Sequence, residues 1–473
     1  MASVLLIRPL CAGDDPEFAE PLGIERIAGC LHVAGHDVRM FDRRLYREER
    51  RAGFADADAP TFFDELHAVY DGGDGPDIVG LSLMTSDDVP DARRIVSRLR
   101  SWWPQTTFTV GGVYVTCASD AAGRAFPAGV LVQTGEGEEP MLALARQLDA
   151  GCGNLDVTPA MCAAAASTPD EWPLPYRPHL VRYARLHCAV NMQTSRGCPG
   201  SCVFCATPGL PEQLRRWQPR NVRLVVDEMQ CEAERLAQTG LPAVFNFVDD
   251  DFGPLSRLEE LADEVEAREL HVSFACEMRL ASLAGQPDLV SRLARLHAAG
   301  LSRVFVGVES LNREALREWH KPVDLGALPA VLAAFRAAGI TLQPGYILWH
   351  AKQTIAGALR EVRQLWELGI YNHKAALSRL IVFPGCALAE SGCDTAAYEA
   401  MAPAVEAFYR RFRDATIELA DAWTEAAIAE PYAAAECQLT GEGERLAPIR
   451  AALAAADARS YELFTQMAEE ELR

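Results

Sequence analysis

The stretch Gln193-Thr-Ser-Arg-Gly-Cys198-Pro-Gly-Ser-Cys202-Val-Phe-Cys205-Ala-Thr-Pro208 places three cysteines at C-x3-C-x2-C spacing, directly after a predicted strand at 189–194. Three soft thiolates in one short loop can hold one face of an iron–sulfur cube and leave one iron without a protein ligand. The alternatives are small buried cysteines that bind no metal and a closed zinc site completed by His179 or His187. Zinc sites favour pairs of C-x2-C, and the chain has no second pair, so the spacing favours the cluster.

This spacing, with the aromatic Phe204 just before the third cysteine, resembles the signature of the radical S-adenosylmethionine (SAM) superfamily. The resemblance implies a 4Fe–4S cluster held by Cys198, Cys202 and Cys205, whose open iron chelates the amino and carboxylate groups of SAM. It also implies that one electron, from a flavodoxin- or ferredoxin-like donor, cleaves SAM to a 5′-deoxyadenosyl radical.

Composition restricts the partners and the compartment. A net charge of −21 and a pI near 5.0 argue against nucleic acid or an anionic membrane as partner, because phosphate binding relies on clustered Lys and Arg. The first residues have too short an apolar core for a signal peptide, and no later run reaches about 18 apolar residues. The 14 cysteines are irregularly scattered, unlike a secreted disulfide framework. We therefore expect a cytoplasmic protein, which also suits an oxygen-sensitive cluster.

Residues 1–150 alternate short apolar segments with segments of helical periodicity. The predicted strands lie at 4–7, 37–41, 77–83, 107–110 and 129–133, and the predicted helices at 22–34, 89–100 and 139–148. This alternation predicts an α/β domain with a doubly wound, Rossmann-like parallel sheet. Its ligand should lie at the carboxyl ends of the strands.

Three of those strand ends carry small or polar residues that suit a large polar ligand. They are Ser82 and Thr85, Gly111 and Gly112, and Gly135 and Glu136. Glycine allows close approach to the backbone, although glycine turns after strands are also common scaffolding. Together with Pro21-Leu-Gly-Ile and Ala34-Gly-His-Asp-Val-Arg, their order is similar to the cobalamin-binding domain that precedes many radical SAM cores. That resemblance covers about residues 1–150 and implies that these residues contact cobalamin.

One loop departs from the pattern of cobalamin domains that supply a histidine to cobalt. Those domains carry Asp-x-His-x-x-Gly after the first strand, whereas this chain has Arg8-Pro-Leu-Cys-Ala-Gly-Asp-Asp. His32 and His36 follow at the end of the next helix, where a surface role is expected. We therefore expect cobalamin to bind without a protein histidine on its lower face.

The rest of the chain divides into three parts. Residues 151–187 are rich in Ala and Pro, which is typical of a linker, and we favour a simple tether. Residues 188–394 repeat the strand–helix alternation, which predicts a partial (β/α)6 TIM-type barrel. The six predicted strands lie at 189–194, 243–248, 271–276, 303–308, 341–348 and 377–383. Residues 395–473 are helical and are expected to cover the barrel.

Three of these strands end in charged residues, in Val248-Asp-Asp-Asp-Phe252, Cys276-Glu-Met-Arg279 and Gly307-Val-Glu-Ser310. Such ends invite a ligand, because an unpaired charge at a core edge is costly; helix capping is the alternative. The first and third resemble Val-Asp-Asp-Asn-Phe and Gly-Ile-Glu-Ser of cobalamin-dependent radical SAM proteins. The resemblance implies that Asp250 meets the SAM amino group, that Arg279 neutralises its carboxylate, and that Glu309 and Ser310 lie near its ribose.

The end of the fifth strand departs from the family. The usual Gly-Leu-Pro-Gly-Glu-Thr is replaced by Leu348-Trp-His-Ala-Lys-Gln-Thr354. His350 thereby becomes a candidate specificity residue, although a surface histidine is the more frequent outcome.

The resemblance implies a cobalamin-dependent radical SAM enzyme that acts on a small molecule, most simply as a C-methyltransferase at an unactivated carbon. Two other functions stay open. One is a radical cyclisation, ring contraction or rearrangement without methyl transfer, and the other is a zinc- or cobalamin-binding regulatory protein without catalysis. The tail offers no auxiliary-cluster domain, because Cys386, Cys393 and Cys437 are too irregularly spaced.

Overall fold

A computed structural model describes the chain except for residues 13–17, 55–60, 71–72, 74, 152–167, 211, 391–398 and 442–443. Cys393, the Ala-rich part of the predicted linker and the predicted boundary at 394–395 lie outside the described residues. The chain divides into two compact units, Met1–Asn191 and Met192–Arg473. Within the described ranges, no helix is both long enough and apolar enough to span a bilayer.

The first unit contains a five-stranded parallel sheet in the order β2-β1-β3-β4-β5. The strands are β1 (Ser3–Arg8), β2 (Asp37–Asp42), β3 (Ile78–Ser82), β4 (Thr107–Gly111) and β5 (Val130–Val132). The helices are α1 (Leu22–Val33), α2 (Arg43–Arg51), α3 (Phe62–Val69), α4 (Val89–Trp102), α5 (Val113–Cys117), α6 (Ser119–Ala125), α7 (Glu138–Asp149) and α8 (Leu180–Arg185). The doubly wound fold is confirmed.

Strand β1 shows why this sheet is buried on both faces. Its alternate residues point to opposite sides, so Leu5 and Ile7 join one apolar cluster while Val4 and Leu6 join another. A continuous apolar run is what a central parallel strand requires.

The described part of the predicted linker is packed within the first unit. The Tyr176 N–H donates to the Glu25 carbonyl at 2.9 Å, and a Cβ at Gly29 would lie 2.3 Å from the Leu174 carbonyl oxygen. The Tyr183 hydroxyl donates to Asp42. Residues 168–187 therefore differ from the simple tether expected from composition, because their backbone and side chains bond to helix α1 and strand β2.

The second sheet has five strands in the order β12-β11-β10-β9-β6, with parallel pairing from β9 through β12. It belongs to the second unit except for Val190 and Asn191 of β6, which precede the boundary at Met192. Its strands are β6 (Val190–Met192), β9 (Val244–Phe247), β10 (Ser273–Met278), β11 (Leu301–Glu309) and β12 (Thr341–Tyr346). A two-stranded antiparallel hairpin is formed by β7 (Ser195–Arg196) and β8 (Gln218–Pro219). The partial-barrel arrangement of parallel strands and helices agrees with the prediction.

Helices connect and flank these strands. They are α9 (Glu212–Arg215), α10 (Val222–Ala237), α11 (Leu255–Ala267), α12 (Leu289–Ala298), α13 (Arg313–Glu318), α14 (Leu328–Ala338), α15 (Ile355–Glu367), α16 (His373–Leu377), α17 (Ala387–Glu390), α18 (Pro403–Ala415), α19 (Ile417–Thr440) and α20 (Leu446–Glu471). Single 3-10 turns lie at Ser86–Asp88, Pro169–Glu171, Thr207–Gly209 and Leu280–Ser282.

The prediction of a sixth strand at 377–383 is wrong. Only one bridge remains, between Trp349 and Arg379. The Trp349 indole N–H donates to the Ala376 carbonyl at 2.7 Å, and its ring packs against Phe408 and Phe464 from the C-terminal helices. Helix α16 extends to Leu377 and so takes the first residue of the predicted strand. The pairing that follows is limited to the bridge, with the Leu380 N–H donating to the Trp349 carbonyl at 2.7 Å.

The C-terminal helices pack against the sheet of the second unit, as predicted. Gln438 of α19 donates to the His297 carbonyl at 2.6 Å and accepts from the Ser273 hydroxyl at 3.3 Å. Ser273 begins β10, so this contact lies at the amino end of the sheet. The polar strand ends lie at the opposite, carboxyl edge.

Candidate functional site

The cysteine loop begins with a backbone approach that only glycine allows. Gly197 has a φ of +73°, and a Cβ there would lie 2.5 Å from the carbonyl oxygens of Arg215 and Arg216. The Cys198 N–H donates to the Arg215 carbonyl at 3.0 Å. Together with the β7–β8 hairpin, these contacts close the loop that carries the three thiols.

The three thiols fit a cluster. Cys198, Cys202 and Cys205 are free and partly buried, and burial raises the pKa of the Cys198 and Cys202 thiols. A Cβ at Gly200 would lie 3.3 Å from the Cys198 sulfur and 3.9 Å from the Cys202 sulfur, so this glycine leaves space between them. In the part of the chain that the structure describes, no three His, Cys, Asp or Glu side chains lie close enough to hold one metal ion. A 4Fe–4S cluster does not need that proximity, since each thiolate binds a different iron.

Thr207 joins the third cysteine to the end of strand β9. Its Oγ1 lies 3.5 Å from the Cys205 sulfur and donates to Asp250 Oδ1 at 3.2 Å. Asp250 is exposed beside the loop, as required for its predicted contact with SAM. Sequence reasoning missed Thr207, although its position two residues after Cys205 was a usable signal.

Asp249 anchors the residues that lead into the cysteine loop. This buried carboxylate accepts from the Thr194 N–H at 2.7 Å, the Ser195 N–H at 2.8 Å and the Thr194 hydroxyl. Arg257 completes the arrangement by donating to Thr194 Oγ1 at 3.0 Å. Burial raises the pKa of Asp249 to about 6, while these hydrogen bonds act in the opposite direction. Asp249 was not among the predicted site residues.

Arg279 and Asp251 form an ion pair at the ends of strands β9 and β10. Arg279 Nε lies 2.6 Å from Asp251 Oδ2, with the aspartate buried and the arginine partly exposed. Both charges act on Cys198: the Asp251 carboxylate raises the pKa of that thiol and the Arg279 guanidinium lowers it, after the larger effect of burial. Arg279 is therefore near enough for its charge to act on the cysteine loop, and its contact with the SAM carboxylate stays a prediction.

Glu309 ends strand β11 in a strained conformation. Its φ is +65°, which is uncommon for a residue other than glycine, and the pairing register shifts between Gly307 and Glu309. Its carboxylate lies 3.1 Å from the ammonium of Lys321. Strain of this kind clusters at functional sites. Lys321 was missed because nothing in its local sequence marks it.

Ser310, the next residue, is turned toward helix α15. Its hydroxyl donates to Glu361 Oε2 at 2.9 Å. Glu361 also accepts from the Tyr346 hydroxyl and, at 3.0 Å, from Gln353 Nε2. This buried carboxylate thus ties the end of β11 to the Leu348–Thr354 segment, and the Ser310 hydroxyl is engaged within that network.

His350 is buried and not on the surface. Its exposed fraction is 8%, and its ring packs edge-on against Trp319 with centroids 5.2 Å apart. Trp319 in turn contacts Phe204 at 5.8 Å, while its carbonyl accepts the Val203 N–H at 3.1 Å. Burial lowers the pKa of His350. The segment that departs from the family pattern is therefore packed, through one tryptophan, against the cysteine loop.

In the first unit, the ends of β3 and β4 present apolar side chains. Met84 and Val113 are 50% and 51% exposed. Gly112 has a φ of +103°, and a Cβ there would lie 2.4 Å from the Leu83 carbonyl oxygen, so contact with Leu83 already explains this glycine. Exposed apolar groups beside a parallel-sheet edge suit a flat macrocycle such as cobalamin.

The remaining predicted residues of this edge are held by local contacts. Ser82 ends β3, and the Thr85 N–H donates to Asp88 Oδ2 at 3.2 Å. Gly111 accepts the Leu83 N–H at 2.9 Å through its carbonyl, and the Gly135 N–H donates to Thr116 Oγ1 at 3.0 Å. Glu136 follows in the same turn, before α7.

No histidine lies among the described residues of the loop after β1. Arg8 ends that strand and pairs with Asp42 at 2.6 Å. The Nδ1 atom of His36 accepts from the Ala2 N–H at 3.3 Å, which places this histidine at the amino edge of the sheet. His32 stacks on Tyr176. The buried His36 differs from the expected surface position. Cobalamin binding without a protein histidine stays a prediction.

Comparison with known proteins identifies both units. Residues 192–349 match the model of the Radical SAM superfamily, and residues 15–145 match that of the B12 binding domain. The cofactors of these two families are a 4Fe–4S cluster with SAM and cobalamin, the three that were predicted.

Individual proteins agree with that assignment. The chain is 27% identical over 339 residues to the hopanoid C-3 methylase of Methylococcus capsulatus, which covers 68% of this chain and 60% of that protein. The cobalamin-dependent SAM radical enzyme OxsB, solved with aqua-cobalamin and SAM, matches with a TM-score of 0.70 at 15% identity over 100% of this chain and 80% of that one. The radical SAM methyltransferase TsrM of Kitasatospora setae, solved with cobalamin and a [4Fe-4S] cluster, matches with a TM-score of 0.62 at 18% identity over 85% and 77%. The two structural matches establish the fold.

Proposed function

We propose that this chain, which belongs to the proteins that join a B12-binding domain to a radical SAM domain, is a cobalamin-dependent methyltransferase acting on an unactivated carbon of a small molecule. The observation that carries the proposal is the convergence of three thiols, Asp250, the Arg279 pair and the Glu309 pair at one edge of the second unit's sheet. When bound, the cofactors supply the adenosyl radical and the methyl group.

The residues of the chain would bind and orient the cluster and SAM. The three cysteines hold the cluster, and Asp249, through Thr194 and Ser195, fixes the start of their loop. Asp250 would accept a hydrogen bond from the SAM amino group, and Arg279, paired through Nε with Asp251, would neutralise the SAM carboxylate. Glu309 would hold the ribose hydroxyls.

Methyl transfer is favoured over the other reactions by the names of the relatives. The first curated relative is a methylase, and one of the solved structures is a methyltransferase. The chain spans 60% of the length of that first relative, so its substrate is not carried over. We place the substrate among small molecules and the electron donor among flavodoxin- or ferredoxin-like proteins.

The test is anaerobic reconstitution with iron, sulfide and hydroxocobalamin, followed by metal analysis of the desalted protein. We expect about four irons and one cobalt per chain. The loaded protein is then incubated with methyl-labelled SAM, a reductant and a fractionated metabolite extract. A methyltransferase releases both S-adenosylhomocysteine and 5′-deoxyadenosine and places the label in a small-molecule product.

Each competing function predicts a different result. A radical cyclisation or rearrangement releases 5′-deoxyadenosine and leaves its product unlabelled. A regulatory protein without catalysis binds cobalamin but releases no 5′-deoxyadenosine with any fraction. Iron without cobalt would overturn the methyl-transfer proposal and leave a radical reaction standing.

A further inference from the structure

Lys321 lies beside the cysteine loop although no motif contains it. It follows helix α13, and its N–H donates to the Leu316 carbonyl at 2.9 Å. Two residues earlier, the Trp319 carbonyl accepts the N–H of Val203, the neighbour of Cys202, at 3.1 Å. The backbone therefore places the 319–321 segment directly against the middle of the loop.

The Lys321 ammonium is held in a small, mostly enclosed space. Its side chain is 13% exposed and that of Glu309 is 14% exposed, with Nζ 3.1 Å from Oε1. A Cβ at Gly307 would lie 2.6 Å from Nζ and 2.5 Å from Oε1. A side chain at Gly307 would therefore require the ends of Glu309 and Lys321 to move from their present positions.

The ion pair is held against the cysteine loop by the backbone. Lys321 follows two residues after Trp319, whose carbonyl binds the N–H of Val203 between Cys202 and Cys205. The ammonium of the pair therefore lies on a segment that is hydrogen-bonded to the middle of that loop.

We propose that Lys321 is a positioning residue that holds Glu309 at the bulge of β11 and, by placing a positive charge beside the cysteine loop, makes the bound cluster easier to reduce. The inference rests on the proposed function only in requiring a cluster on the three cysteines. Reduction adds a negative charge to the cluster, and a nearby cation stabilises the reduced form. Net charge near a cluster is one of the factors that set its reduction potential.

The test is a redox titration of the cluster, followed by electron paramagnetic resonance, in reconstituted full-length protein without SAM or substrate. Lys321→Gln should shift the midpoint to a more negative potential, and Lys321→Arg, which retains the charge, should stay near the unchanged protein. Lys374→Gln, at an exposed lysine of α16, makes the same change in net charge and should have no effect.

Glu309→Gln supplies the opposite change at the same pair. It removes a negative charge, so the midpoint should shift to a less negative potential. General damage to the loop would shift the midpoint potentials of Lys321→Gln and Glu309→Gln in the same direction, and that result would overturn the proposal. A midpoint potential of Lys321→Gln equal to that of Lys374→Gln would also overturn it. If Lys321→Gln takes up fewer than about four irons, the other two variants test the proposal. Glu309→Gln should then have a less negative midpoint potential than the unchanged protein, and Lys321→Arg should have the same midpoint potential.

The readout is independent of methyl transfer. Opposite shifts of the midpoint potential without any labelled product would support the role of Lys321 and refute the proposed methyl transfer. Normal methylation with one midpoint potential shared by all variants would support methyl transfer and refute the role of Lys321.

Discussion

The two parallel sheets end in different ways at equivalent edges. In the second unit, the strand ends carry paired charges around three thiols, as in Arg279 with Asp251 and Lys321 with Glu309. In the first unit, Met84 and Val113 are exposed just after the ends of β3 and β4. Nearby charged side chains form buried ion pairs, such as Arg44 with Asp88 at 2.6 Å. Two parallel sheets of different strand order thus present paired charges in one unit and apolar side chains in the other. The strand order decides where the loops converge, and the loop residues decide what can bind there.

The largest effect is expected from a substitution that removes one cluster ligand and leaves the cobalamin-binding unit unchanged. Cys205→Ala should reduce iron from about four per chain to below about one and abolish release of 5′-deoxyadenosine, because two thiolates hold the cluster poorly. Cobalt retention in the same sample should not change. Iron and cobalt are measured together after reconstitution; loss of both metals would contradict the separation of the two sites.

Gly112→Ala is the reciprocal change in the first unit. Its Cβ would lie 2.4 Å from the Leu83 carbonyl oxygen at a φ of +103°, so we expect about 2–4 kcal/mol of destabilisation. Cobalt retention should fall while iron is kept. The matched control is Gly123→Ala in helix α6, where a Cβ meets nothing within 4 Å; chemical unfolding followed by metal analysis compares the two.

Asp249→Asn tests the anchor of the cysteine loop. The amide keeps the shape but weakens the bonds to Thr194 and Ser195 that a carboxylate makes, at a cost of about 1–3 kcal/mol. Iron uptake should become slower and less complete. Asp227→Asn, at an exposed position of α10, is the control, and equal iron uptake by the two variants would show that Asp249 does not order the loop.

The smallest effect concerns a buried polar cluster away from either edge. Asp457 accepts from the His373 N–H at 2.8 Å and the Trp423 indole at 2.9 Å, and burial raises its pKa to about 6. Because this folded pKa lies above the unfolded value near 3.8, the carboxyl favours folding below that value and loses its contribution as the pH rises through 6.

Asp457→Asn should therefore stabilise the second unit by about 1–2 kcal/mol at pH 7.5 and make no difference below pH 4. Both accepted hydrogen bonds can be kept by the amide oxygen. Urea unfolding of the two proteins between pH 4 and 8 measures this difference. A gap that is constant with pH would show that the carboxyl does not titrate in this range.

The candidate cluster ligands could be proposed from sequence because their spacing is local. Three cysteines within eight residues share one loop whatever surrounds them, and Asp250, Arg279 and Glu309 follow strands that periodicity detects. The supporting residues could not be predicted in this way. Asp249 bonds to Thr194 across 55 positions, and no local pattern records such a pairing.

The sequence by itself determined the two sheets, their order along the chain and the three thiols, since each follows from short-range spacing and apolar periodicity. Tertiary structure decided what surrounds those thiols. It recruited Lys321 and Thr207, turned Ser310 toward Glu361 and buried His350 beneath Trp319. It also reduced the strand expected at 377–383 to a single bridge, because the preceding helix α16 extends to Leu377. Burial and charge pairing depend on residues that are distant in the chain, and only the folded structure brings them together.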